Sequence, residues 1–134
     1  MVQDGPFEPI PDDVEALGAK AVEAAFRVHR TLGPGLLESV YETCVCHELA
    51  KQGVPFERQV DVPVVYDGIR LETGLRLDVW VGRSIVLELK AVEELKPLHQ
   101  AQLLTYMKLT DSRLGFLVNF NVAKLKDGIT RMVL

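Results

Sequence analysis

Arg76-Leu77-Asp78-Val79-Trp80-Val81-Gly82-Arg83-Ser84-Ile85-Val86-Leu87-Glu88-Leu89-Lys90 constrains this chain more than any other stretch. Two apolar runs meet at a short Gly-containing turn, which predicts two adjacent antiparallel strands. Asp78, Glu88 and Lys90 sit inside those runs, and burying an unpaired charge costs several kcal/mol. The charges need compensation. A divalent cation is the simplest partner that uses both carboxylates; ion pairs with Lys90 are the plain structural alternative.

Side chains alternate along a strand, so Glu88 and Lys90 share a face, opposite Leu87, Leu89 and Ala91. Whether Asp78 joins them depends on the turn. A two-residue loop, Gly82-Arg83, pairs Asp78 with Leu87 and puts it on the other face. A three-residue loop, Gly82 to Ser84, pairs Asp78 with Glu88 and brings their Cβ atoms to about 5 Å. Two carboxylates that close repel, and Mg²⁺ or Mn²⁺ would relieve the repulsion. Such an ion polarises a phosphoryl oxygen and acidifies water, the two effects that phosphodiester hydrolysis most needs.

The remaining chain reads as a scaffold of type α/β. Pro11-Asp12-Asp13 opens a helix to Leu32 with apolar residues at helical spacing, and Gly33-Pro34-Gly35 ends it. A second helix runs from about Leu36 to Gln52, with Glu38 beside its apolar stripe. Period-two patterning then predicts strands at Gln59 to Tyr66, at Ile69 to Glu72 continuing through a bend at Gly74 into Leu75 to Val81, and at Ile85 to Val92. Asp67-Gly68 is a hairpin turn signal. The third strand is continuously apolar and should lie centrally in the sheet. Glu93 to Thr110 is helical again, with Pro97 in its first turn, and strands at Leu114 to Phe120 and Ile129 to Leu134 follow. The order αα-βββ-α-ββ predicts a mixed sheet flanked by helices.

A length of 134 residues suits one domain, expected over 12–134 after an N-terminal tail of 1–11. No apolar run approaches the roughly 20 residues of a membrane span, and Met1 to Pro11 has no export-signal pattern, so a cytoplasmic location is expected. Cys44 and Cys46, two apart on a helix, point about 200° from each other, which disfavours a disulfide and, with His47, a zinc site. The net charge is −4, but residues 1–94 carry −8 and residues 95–134 carry +4. That polarity suits an anionic ligand on the C-terminal side, although an unevenly charged surface explains it equally well.

Gly35-Leu36-Leu37-Glu38-Ser39-Val40-Tyr41 matches a GxxExxY signature, and Asp78 with Glu88-Leu89-Lys90 resembles the Asp…Glu-x-Lys core of the PD-(D/E)XK nuclease superfamily. Gln102-Leu103-Leu104-Thr105-Tyr106 resembles the QxxxY helix motif of exonuclease-like members. The resemblance runs from about Asp13 to Val133; Leu77 replaces the Pro that can precede the Asp. It implies a Mg²⁺- or Mn²⁺-dependent nuclease acting on DNA, with Asp78 and Glu88 as metal ligands, Glu38 as a further acid and Lys90 as the catalytic cation. Gln102 and Tyr106 would orient the site or contact the DNA backbone, and His99 would more readily be a surface residue than a phosphate contact. Protomers paired as a homodimer would enlarge the basic surface. The rival reading is a nuclease-like fold without turnover, used as a nucleic-acid-binding or regulatory subunit.

Overall fold

The computed structural model describes residues 8–72 and 74–134. Two helices come first, α1 (Asp12–Leu32) and α2 (Glu38–Lys51). Strands β1 (Phe56–Asp61), β2 (Val64–Tyr66), β3 (Ile69–Leu71), β4 (Arg76–Val81) and β5 (Ile85–Lys90) follow. Helix α3 (Pro97–Leu109), strand β6 (Leu114–Asn119), a 3₁₀ turn at Leu125–Asp127 and strand β7 (Ile129–Val133) complete the chain. Five strands form a mixed sheet in the order β1-β4-β5-β6-β7, with β5 and β6 parallel and the other neighbours antiparallel. The continuously apolar β5 is the middle strand, as its sequence predicts, because helices cover both of its faces.

Small residues decide how closely those helices approach. On one face Ala21, Ala24 and Ala25 of α1, with Val45 and Leu49 of α2, pack into the core containing Val79, Val81, Leu87 and Val118. On the other, Leu103 and Met107 of α3 meet Val86 and Leu117. A Cβ at Gly115 would stand 2.6 Å from Met107 Sδ, so a side chain there would force Met107 and Leu103 of α3 to repack.

Element boundaries differ from the sequence pattern where local chemistry intervenes. Helix α2 starts at Glu38 instead of Leu36, because the Leu36 N–H donates to the Tyr41 hydroxyl (3.1 Å). Helix α3 starts at Pro97, since a residue before proline avoids helical geometry and Lys96 is extended (φ −108°, ψ 158°). The strand expected over Gln59 to Tyr66 is two strands. Pro63 cannot donate to a ladder, and Val62 turns inward with its N–H on Leu75 O (2.9 Å). Strands β2 and β3 therefore form a separate ribbon, closed by Asp67 and Gly68 at φ 51° and 76°. Of the tail assigned to residues 1–11, the part up to residue 7 lies outside the described residues, and Ile10 is buried in the core on the α1 side.

Candidate active site

The turn between β4 and β5 settles the register on which the paired acids depend. Gly82 and Arg83 both adopt positive φ (57° and 53°), and Ser84 N–H closes the turn on Val81 O at 3.0 Å. Ser84 is then an extra residue, so Val81 pairs with Ile85, Trp80 with Val86 and Val79 with Leu87. The next step sets Asp78 opposite Glu88, the three-residue alternative of the two that the sequence leaves open.

There the two strands part, and side chains take over from the ladder. Asp78 N–H donates to Glu88 Oε1 at 2.8 Å, and Leu89 N–H donates to Asp78 Oδ2 at 2.8 Å. Both carboxyls hold their protons more tightly than usual. Burial is the main cause for each; the Asp78 charge adds to it for Glu88, whose carboxyl is pushed up to about 8. Lys90 and the backbone hydrogen bonds pull the other way and do not prevail. The pair is thus short of positive charge.

Lys90, half-buried and two residues beyond Glu88, forms no ion pair among the described residues. The close Lys90–carboxylate bridge that would make the cluster purely structural is not formed. Glu38 lies at the start of α2, exposed, and its Oε2 accepts the Ala91 N–H at 3.3 Å. It therefore touches the segment just past Lys90 without joining Asp78 and Glu88. Tyr106 of α3 is near both acids: burial, then Glu88 and Asp78, raise the affinity of its phenol for its proton. Gln102 is exposed, one turn away, and shares with Tyr106 a shallow groove beside Leu75. His99 serves α3 itself, its Nδ1 accepting the Lys96 N–H at 3.0 Å.

Two residues absent from the sequence expectation complete the neighbourhood. Glu42, one helical turn after Glu38, is buried; Arg58 donates to its Oε2 from Nε (3.2 Å) and Nη2 (2.9 Å). Gln59 Nε2 bridges Glu42 Oε1 (2.6 Å) and Asp78 Oδ1 (3.4 Å). Gln59 holds φ 50° within β1, a costly conformation for a non-glycine residue, directly across from Asp78. The i, i+4 spacing of Glu38 and Glu42 is a signal that could have found the second acid.

Tyr41 pins the α1–α2 loop against this end of the sheet. Tyr41 stacks on Phe120 with centroids 4.3 Å apart, donates to Gly33 O (2.6 Å) and accepts from Leu36 N–H. Behind Lys90, buried Asn119 clamps Val92 through both main-chain groups, Nδ2 to Val92 O at 2.9 Å and Val92 N to Oδ1 at 3.1 Å.

The donor set suits a hard divalent cation: two oxygen-bearing side chains on opposed strands, both electrostatically undercompensated. Among the described residues, no three His, Cys, Asp or Glu side chains are gathered as a ready-made metal cluster, so water or main-chain oxygen would have to complete the coordination. Cys44 and Cys46 are free thiols, and burial pushes the Cys46 thiol up to about 11, away from the thiolate a zinc site needs.

The fold and the paired acids at the opening between two strands are those of a nuclease-like α/β protein. The model of the PD-(D/E)XK nuclease superfamily matches residues 15–132, and the chain belongs to that superfamily. Its members generally use divalent metal ions and act on nucleic acid. No curated protein and no solved structure matches the chain. No helix among the described residues is long and apolar enough to cross a membrane.

Proposed function

We propose that this protein, a GxxExxY-type member of its superfamily, is a Mg²⁺-dependent nuclease that hydrolyses phosphodiester bonds in DNA. The observation that carries the reading is the opposed pair of half-buried Asp78 and buried Glu88, short of positive charge, with Lys90 unpaired beside it. Asp78 and Glu88 would hold the cation, and Glu38 would assist from α2. Bound there, Mg²⁺ or Mn²⁺ supplies the polarisation of the phosphoryl oxygen and the acidification of water that the reaction needs. Lys90 orients the attacking water or steadies charge developing on the phosphate, and Tyr106 with Gln102 orients the site or contacts the backbone. The reading includes one cytoplasmic domain over 12–134 and a homodimer, in which two centres would address both strands of a duplex.

The test is cleavage of plasmid and single-stranded DNA with Mg²⁺ or Mn²⁺, comparing wild type with Lys90→Ala and Asp78→Asn. Metal-dependent cutting by the wild type, lowered about 10²-fold or more by either substitution, is the expected result. A second reading, a nuclease fold that binds nucleic acid without cutting, is favoured by the net charge of −4. DNA binding with no metal-dependent cleavage would select it.

A further inference from the structure

Strands β2 and β3 pair only with each other, and among the described residues no main-chain bond joins them to another element. A two-stranded ribbon of three-residue strands is marginal alone in water. This one also exposes large apolar side chains: Val65 at 64%, Tyr66 at 72%, Ile69 at 59% and Leu71 at 40%. Such a surface marks a contact. Its charged residues, Asp67, Arg70 and Glu72, sum to −1, which disfavours a polyphosphate occupant. Arg70 has no ion pair among the described residues.

The order Arg70-Leu71-Glu72 is self-complementary about Leu71. Two copies of β3 laid antiparallel on a two-fold axis through Leu71 would set each Arg70 opposite the other copy's Glu72, and Leu71 opposite Leu71. The register Val64↔Leu71 and Tyr66↔Ile69 puts Val64, Tyr66, Ile69 and Leu71 on one face of the ribbon, with Val65 and Arg70 on the other. Pairing would therefore make a four-stranded sheet with one continuous apolar face and two cross-strand ion pairs on the other. Centring the axis on Arg70 instead would oppose like charges.

We infer that the outer edge of β3 is the homodimer surface, joining two copies through a two-fold β3–β3 pairing centred on Leu71. The inference rests on the homodimer part of the reading above and is independent of catalysis. Sedimentation or light scattering of the wild type should give a dimer. Arg70→Glu should weaken dimerisation at least tenfold, and Arg70→Glu with Glu72→Arg should restore it. In a Cys44→Ser background, Leu71→Cys should cross-link two chains on oxidation and Val65→Cys should not. A dimer indifferent to the charge swap and uncrosslinked through position 71 would overturn this surface while leaving the homodimer standing. A wild type that remains monomeric at about 100 μM would overturn both.

Discussion

Asp78 and Glu88 face each other across two antiparallel strands, and each carboxylate accepts a backbone N–H from the opposite strand at 2.8 Å. These bonds stand where main-chain pairing would otherwise continue past Val79 and Leu87. The sheet opens at that point without leaving buried amides unpaired, so an opening between strands becomes a fixed site.

The pair makes stability depend on pH with a definite sign. Burial first, then Asp78, raise the Glu88 carboxyl from its ordinary 4.5 to about 8 in the folded chain. The folded state thus binds the proton more tightly than the unfolded one, so this stabilisation is full below about pH 4.5 and is lost as pH rises through about 8. Metal-free protein should melt at lower temperature at pH 8.5 than at pH 5.5, and Mn²⁺ should raise the melting temperature more at the higher pH, where it no longer competes with the proton. Scanning fluorimetry at both values checks this; a Mn²⁺ effect larger at pH 5.5 would refute it.

Gly82 is favoured by its positive φ, and a Cβ there would lie 2.7 Å from Leu17 Cδ1 of α1, which would have to shift. Gly82→Ala should destabilise the fold by about 1–3 kcal/mol in urea titration. A change below about 0.5 kcal/mol would mean the turn is not held in this form.

Tyr41→Phe keeps the stack on Phe120 but removes the hydroxyl that Gly33 O and Leu36 N–H share. A loss of about 1–3 kcal/mol is expected from unfolding curves, with Tyr41→Ala costing more.

Lys124 and Lys126 are exposed on either side of Leu125, which is buried, so a fixed 3₁₀ turn presents both ammonium groups. The turn follows β6, whose last residue pairs with Lys90, which puts two of the six basic residues of 95–134 on the loop leaving the site end of the sheet. Replacing both lysines with Gln should reduce the slope of log K against log salt for duplex DNA by about 1.8. An unchanged slope measured by anisotropy would remove this loop from the DNA-binding surface.

Much of this was legible from residue order. The continuous apolar run of β5 announces a central strand, and alternation puts Glu88 and Lys90 on one face. The face of Asp78 was legible only as a choice between two loops, because Ser84 carries no mark of an extra residue beyond the turn. Gln59 was beyond reach: its left-handed φ accompanies hydrogen bonds to Glu42 and Asp78, partners 17 and 19 residues away. The break between β1 and β2 could have been read from Pro63, whose missing donor outweighs the valines around it.

Titration calorimetry with Mn²⁺ on wild type, Asp78→Asn and Glu88→Gln at pH 8 bears most directly on whether the opposed carboxylates hold a cation. The wild type should bind Mn²⁺, and each substitution should weaken binding at least tenfold while circular dichroism stays unchanged. Wild-type binding that neither substitution alters, or no binding at all, would contradict a metal centre between β4 and β5.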